Sequence, residues 1–117
     1  MFYIVEEHPV GGVVVEENGR LFAAEPYFDV GPIECAGDGT YADPAAKLSG
    51  PSYQWQHSLS DVLNALAGAG LRIEFVHEFP FCGWQRLPSM ELREDGFWQL
   101  PDRDDLPFLF SLRARKV

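Results

Sequence analysis

The chain opens with a continuous apolar run, Phe2 to Val5, made of aromatic and β-branched residues. Such a run is typical of a strand that is buried on both faces of a parallel sheet. The pattern therefore predicts a central strand. Because a domain rarely begins with its innermost strand, we expect this chain to be part of a longer one.

Two further apolar runs, Val13–Val15 and Leu21–Ala23, lie on either side of Asn18-Gly19. An Asn-Gly pair readily adopts the positive φ angles of a tight turn between antiparallel strands. The pattern therefore predicts a β-hairpin.

A long connection follows, in which Gly, Pro and Asp are frequent from residue 25 to residue 51. This composition indicates irregular structure, with a short extended piece at Gly39–Ala42. Long connections in compact domains are often lids or binding loops. We therefore expect a lid-like insertion over about 10–52 in a single domain that spans residues 1–117.

The best-defined element is a helix that begins after Ser58. The Ser58 hydroxyl can cap it, and Asp61 stands three residues later in a capping-box position. Gly70 suits the left-handed position that ends a helix, because it has no Cβ. The helix should bury one face only, since its apolar residues recur at helical spacing as Leu59, Val62, Leu63 and Leu66.

Two strands are predicted after the helix. The first alternates between polar and apolar residues, which favours a strand near a sheet edge with one apolar face that holds Leu71, Ile73, Phe75, His77 and Phe79. A long aromatic connection from Phe81 to Leu106 separates it from the final run, Pro107 to Arg115. That run is predicted to be a better-buried strand that pairs antiparallel with its predecessor.

Composition and charge narrow the class of protein. The chain has 117 residues, is 46% hydrophobic and carries a formal net charge of −9, so it has the composition of a folded domain whose field repels phosphate backbones and anionic lipids. We therefore expect no nucleic-acid or membrane partner. Cys35 and Cys82 lack zinc-type spacing and are expected to be free thiols in a cytoplasmic protein.

The candidate site residues are aromatic and histidine side chains. Tyr53, Trp55 and His57 alternate just before the helix, where they could line a pocket for a small polar-aromatic ligand. The alternative is that Trp55 packs against the core and His57 forms a local hydrogen bond. His8 follows the first strand, and in open α/β sheets ligands bind beyond the carboxyl ends of the strands.

Other chemistries lack their sequence signals. Gly68-Ala69-Gly70 follows a helix and opens a strand, which is the reverse of a phosphate-binding loop. There is no Gly-x-Ser-x-Gly motif, and no His or Cys pair has the spacing of a metal site. Aromatic residues of the long connections, Phe28 and Tyr41 among them, could cover a hydrophobic substrate or could simply seal small apolar clusters.

Taken together, several short motifs resemble the carboxyl-terminal half of class I S-adenosylmethionine-dependent methyltransferases. The resemblance covers nearly the whole chain. Its motifs are Glu7-His8-Pro9, Tyr27-Phe28, Gly39-Thr40-Tyr41-Ala42, Tyr53-x-Trp55-x-His57-Ser58-Leu59, Ala69-Gly70-Leu71, His77-Glu78-Phe79-Pro80, Leu106-Pro107 and Phe110-Ser111-Leu112-Arg113-Ala114.

The resemblance implies an α/β fold, a partial Rossmann-like methyltransferase sheet with the order strand, hairpin and lid, helix, strand and strand, ending in an antiparallel pair. It implies that His8 and His57 are candidate general bases, and that Tyr53, Trp55, Tyr27, Phe28 and Tyr41 contact the methyl acceptor. The family's acidic-Gly-x-Gly cofactor loop has no counterpart in this chain. S-adenosylmethionine would therefore bind a full-length parent enzyme and not this segment.

Two functions follow from these observations, and a third alternative is a small-molecule binding domain that uses the aromatic lid alone. The first is the acceptor-substrate side of a methyltransferase, which is inactive alone and takes a small-molecule acceptor only as part of a longer parent. The second is a free-standing, non-catalytic binding or dimerisation module derived from that half-fold. In the first case an exposed first strand and an uncovered sheet face are expected to produce a homodimer or higher oligomer.

Overall fold

The computed structural model describes residues 1–28, 30–35 and 52–117. Its largest sheet has three strands: β1 (Phe2–Glu7), β6 (Leu71–Phe79) and β10 (Leu109–Lys116). The order is β1-β10-β6, and both pairs are antiparallel. β10 is thus the central strand, which agrees with the better-buried position predicted for it, while β1, predicted to be central, and β6 are the two edges.

One helix, α1 (Leu59–Gly68), covers one face of this sheet, which we call the helix face. The Ser58 hydroxyl accepts a hydrogen bond from the Asp61 amide at 3.2 Å, and Gly70 has a φ of +86° just after the helix. The predicted helix, its cap and its glycine stop are therefore confirmed. The core between helix and sheet contains Phe110, Leu112, Ala114, Ile4, Leu59, Leu63, Leu66, Leu71, Ile73 and Val76.

A bulge in β6 determines which residues reach that core. Arg113 lies opposite Phe75, whereas the next residue, Ala114, lies opposite Ile73, so Glu74 is the extra residue on β6. An extra residue reverses the faces of all residues beyond it. Val76 consequently joins Ile73 on the helix face, while Phe75 and the alternate residues that follow it lie on the opposite face.

This bulge corrects the single apolar face predicted for β6. Phe75, His77 and Phe79 do not share a face with Leu71 and Ile73. They lie on the side of the sheet that α1 does not cover, together with Tyr3 of β1. We call this side the aromatic face.

The bulge residue is held by two arginines of β10. Arg113 Nε donates to Glu74 Oε1 at 2.9 Å, and Arg115 Nε donates to Glu74 Oε2 at 3.4 Å. Desolvation alone would raise the pKa of Glu74, but these hydrogen bonds and charges outweigh it, so the pKa lies below the ordinary value of a glutamate. The lowered pKa means that the ionised carboxylate stabilises the folded chain.

The stabilisation by Glu74 should therefore depend on pH. Because the folded pKa is lowered, the contribution is fully present above the pKa of the unfolded chain and is lost as the pH falls through the folded pKa. We expect Glu74→Gln to lower the free energy of unfolding at neutral pH. The difference in free energy of unfolding between this variant and the unmodified chain should shrink in acid. Urea titrations at several pH values measure this difference. A difference that does not change with pH would contradict the role of the Glu74 carboxylate.

The predicted hairpin is confirmed as β2 (Val14–Glu17) and β3 (Arg20–Ala23), which pair antiparallel. Asn18 and Gly19 have φ angles of 52° and 75°, as a tight two-residue turn requires. A second small pair joins β4 (Ile33–Cys35) to β5 (Ser52–Gln54). Of the expected lid-like insertion, residue 29 and residues 36–51, with the extended piece at Gly39–Ala42, lie outside the described part.

The long aromatic connection between β6 and β10 forms a small sheet, which the sequence pattern did not predict. Its strands are β7 (Phe81–Cys82), β8 (Glu91–Leu92) and β9 (Trp98–Gln99), in the order β7-β9-β8. A second buried cluster lies here, and its residues are Cys82, Leu87, Met90, Leu100 and Phe108.

The predicted Rossmann-like α/β fold is wrong. The described residues form small antiparallel sheets with one helix, and the first strand is an edge instead of the centre of a parallel sheet. In β1 only Ile4 is even partly buried. An apolar run indicates that its side chains can be buried, but it does not indicate which strands lie beside it. Here β1 pairs with β10 on one side, and no described strand lies on its other side.

Within the described ranges, no helix has the length and apolar composition to cross a membrane.

Candidate functional site

His8 lies where β1 ends, at the beginning of a short 3-10 helix, Pro9–Gly12. Its side chain is 3% exposed, and its Nδ1 accepts a hydrogen bond from the Val10 amide at 3.1 Å. His8 therefore acts as the N-cap of this turn. The ring also packs edge-on against Phe110 of the central strand, with 6.1 Å between ring centroids.

The other ring nitrogen of His8 contacts Glu78 on β6, with 2.6 Å between Nε2 and Oε2. Because Nδ1 accepts from an amide, the proton of a neutral ring is on Nε2, which donates to the carboxylate. Both nitrogens are thus engaged, and neither is free to take a proton from a substrate. The general-base role stays a prediction, and it would require one of these two hydrogen bonds to break.

The helix entrance lies next to this turn. Gln56 Nε2 donates to the Pro9 carbonyl at 2.9 Å, which joins the segment before α1 to the segment after β1. Tyr27, a predicted acceptor-binding residue, accepts a hydrogen bond from the Leu59 amide on its hydroxyl at 3.1 Å. The structure thus brings the region of His8 and the region of Tyr27 together, but it uses Tyr27 to satisfy a helix amide.

The remaining predicted site residues that the structure describes are largely exposed. Tyr53, Trp55 and Phe28 are each more than half exposed, and His57 is exposed as well. A cavity beside Trp55 measures about 90 Å³, whereas sites for small ligands usually measure about 300 Å³ or more. Tyr41 lies outside the described residues. The substrate-binding role of these side chains stays a prediction.

The end of β1 also borders an open groove of about 410 Å³, lined by Val5, Glu6, Glu7, Gly83, Trp84 and Leu109. The indole Nε1 of Trp84 donates to the Glu7 carboxylate. This contact joins the small sheet to the end of β1, across 77 residues of sequence. It fixes the position of Glu7 at the carboxyl end of the aromatic face.

The aromatic face is an apolar surface that the described elements leave partly uncovered. The rings of Tyr3 and Phe75 are 6.3 Å apart, Phe75 stacks on His77 at 4.6 Å, and Phe79 continues the row. The guanidinium of Arg113 lies 5.3 Å from the Phe75 ring centroid. Tyr3 is 55% exposed and Val5, on the same face, is 50% exposed. The row is therefore exposed at Tyr3 and His77 and half-buried at Phe75 and Phe79.

Cys82 has the environment of a structural thiol. It is 1% exposed, and its Sγ donates to the Trp84 carbonyl at 3.1 Å. Burial raises the pKa of the Cys82 thiol, so the reactive thiolate is scarce at neutral pH.

We therefore expect Cys82 to resist alkylation while the chain is folded. Iodoacetamide treatment followed by peptide mass mapping should find the Cys82 peptide unmodified in buffer and fully modified in denaturant. Cys35 falls in a separate peptide, so its reaction does not interfere. Rapid modification of Cys82 in buffer would contradict the buried position.

Several residues important to this geometry were missed by sequence reasoning. Glu78 appeared only as a polar position of an alternating strand, and its partner His8 is 70 residues away. Gln56 and Trp84 gave no local signal for their contacts with Pro9 and Glu7. The alternation of the last strand does place Arg113 and Arg115 on one face, as the structure has them.

Within the described residues, no group of three or more His, Cys, Asp or Glu side chains is placed to hold a metal ion. In comparisons with known proteins, no family model, no curated protein and no solved structure matches this chain. The methyltransferase resemblance therefore stays a prediction.

Proposed function

We propose that this chain is a non-catalytic module that associates with a second copy of itself. The observation that carries the proposal is the aromatic face, where Tyr3 and Val5 are half exposed beside Phe75 and His77. Contiguous apolar surface of this kind is a mark of interaction sites on soluble proteins. Burying an aromatic side chain contributes more to association than burying most others.

The charges at the two ends of the aromatic face favour a second copy as the partner. One end carries Arg113 and Arg115 with a single acidic partner, Glu74, and the opposite end carries Glu7. A twofold rotation places the basic end of one copy beside the acidic end of the other. A surface that complements itself in this way is suited to a symmetric dimer.

Sedimentation velocity over about 1 µM to about 100 µM tests the proposal, because this range brackets a micromolar affinity. We expect a reversible shift from one copy to two as the concentration rises. The association should persist in moderate salt, since burial of apolar side chains such as Tyr3 and Val5 contributes to it. A single species with the mass of one copy at every concentration would overturn the proposal.

A second candidate is the acceptor side of a methyltransferase, as the sequence motifs imply. The observation in its favour is the antiparallel pairing of the last two long strands, β6 and β10, which the resemblance implies for the end of the chain. It is supported further by the contact between Gln56 and Pro9, which joins the regions of the two candidate bases.

Calorimetric titration with S-adenosylmethionine tests this second candidate in its stated form. The chain lacks the acidic-Gly-x-Gly loop, so a methyltransferase segment of this kind should not bind S-adenosylmethionine at concentrations up to about 1 mM. Micromolar affinity for S-adenosylmethionine would contradict this candidate, because the cofactor would then bind without any other part of a parent enzyme.

A further inference from the structure

The outer edge of β1 carries backbone groups that no other described strand uses. At the end of the strand, the His8 amide donates to the Phe108 carbonyl at 3.1 Å, so it points toward β10. Along an antiparallel strand the amides point alternately to either side. The amides of Ile4 and Glu6 therefore also point toward β10, and those of Tyr3, Val5 and Glu7 point outward.

The two edges of the sheet differ in how they are protected. β6 contains the bulge at Glu74 and carries charged side chains at Arg72 and Glu78. Bulges and charges are the devices by which natural sheets prevent strands from adding to an edge. β1 has a continuous register with β10 from Phe2 to Glu7, without a bulge, a proline or a lysine, and its two charged residues, Glu6 and Glu7, lie at its carboxyl end. Of the two edges, β1 is the one open to pairing.

Building on the self-association proposed above, we propose that β1 pairs antiparallel with β1 of a second copy about a twofold axis at Ile4. This register joins two three-stranded sheets into one continuous six-stranded sheet. It places Tyr3 opposite Val5 of the second copy. In each such pair, the outward amide of each residue donates a hydrogen bond to the carbonyl of the other. Aromatic and β-branched side chains are favourable cross-strand neighbours.

The charges of β1 favour this orientation over a parallel one. In a parallel pair, Glu6 and Glu7 would lie beside the same residues of the second copy at about 4.8 Å. In the antiparallel register, the two Glu7 residues are about 20 Å apart along the strand direction. Like charges are thereby separated instead of juxtaposed.

The same register brings opposite charges together. Because Phe2 lies opposite Ala114, Met1 lies opposite Arg115 of its own chain. Glu7 of the second copy would be opposite Met1, and so about 10 Å from the Arg115 backbone, on the same face of the sheet. Arginine and glutamate side chains together span that distance. The acidic end of each β1 thus faces the basic end of the other copy's central strand.

The substitution Val5→Pro tests whether the outer edge of β1 forms the interface. Val5→Pro removes an outward amide but no hydrogen bond to β10, and proline is tolerated at such edge positions. We expect Val5→Pro to weaken dimerisation at least tenfold in sedimentation velocity. The matched control, Val5→Thr, keeps the amide and the β-branched shape, and should dimerise like the unmodified chain. Circular dichroism and thermal unfolding establish that both variants are folded.

Two double variants test the register without changing the backbone. Tyr3→Glu with Val5→Glu places two glutamates directly opposite each other across the axis, which should give a single copy. Tyr3→Lys with Val5→Glu places lysine opposite glutamate and should restore the dimer. If the Val5→Pro chain is folded and still dimeric, or if the two double variants behave alike, the β1 pairing is wrong although the self-association stands. If the unmodified chain never dimerises, both proposals fail.

Discussion

Replacing Leu112 with alanine is expected to lower the free energy of unfolding by about 3 to 4 kcal/mol. Leu112 is 0% exposed at the middle of the central strand, and it lies between Ile4 of β1 and Val76 of β6. Removing its side chain would leave a cavity where the helix and all three strands meet. A loss of this size is a large fraction of the stability of a small domain.

Urea unfolding measures this loss, and Leu92→Ala is the matched control. The same side-chain atoms are removed there, but Leu92 is 61% exposed, so the change should be within about 0.5 kcal/mol. Similar losses for the two variants would mean that the core does not lie between α1 and the β1-β10-β6 sheet.

His8→Ala is expected to lower the free energy of unfolding by about 2 kcal/mol. The substitution removes the N-cap of the Pro9–Gly12 turn, an effect of about 1 kcal/mol, and leaves the Val10 amide without its acceptor. It also removes the partner of Glu78, whose carboxylate can then turn to solvent. The turn that connects β1 to the hairpin should therefore loosen.

Two further variants separate the contributions of His8. His8→Asn should recover about 1 kcal/mol, because an asparagine oxygen can cap the Val10 amide but cannot reach Glu78. His57→Ala should change stability by less than about 0.5 kcal/mol, since His57 is exposed. Equal losses for the two histidines in urea unfolding would contradict the structural role of His8.

Elements with local signals were predicted correctly from the sequence. The Ser58 cap, the Leu59-to-Leu66 stripe and Gly70 together define α1, and Asn18-Gly19 defines the first hairpin. These signals arise within one or two turns of chain, where backbone preference decides the structure. The antiparallel pair of β6 and β10 was also predicted, since alternation identified one strand as an edge and the other as better buried.

Features set by distant parts of the chain were not predicted. The apolar run of β1 fits a central strand as well as an edge strand, and only its pairing with β10, more than 100 residues later, decides between them. The bulge at Glu74 likewise depends on Arg113, which lies 39 residues further on. Strict alternation therefore placed Phe75 and His77 on the wrong face.

The candidate site was predicted only in part. Sequence reasoning selected His8 and the residues before α1, and the Gln56–Pro9 contact does bring these two regions together. It could not find Glu78, because a carboxylate on an alternating strand resembles any solvated residue. The structure shows His8 as a buried cap in contact with Glu78, and its role as a general base stays a prediction.

Amide hydrogen exchange in β1, resolved by residue at a low and a high protein concentration, tests the central claim most directly. The amides of Ile4 and Glu6 bond to β10 and should exchange slowly at both concentrations. The amides of Tyr3 and Val5 should exchange rapidly in the dilute sample and slowly in the concentrated one, because only a second copy protects them. Rapid exchange of Tyr3 and Val5 at both concentrations would contradict the paired edge.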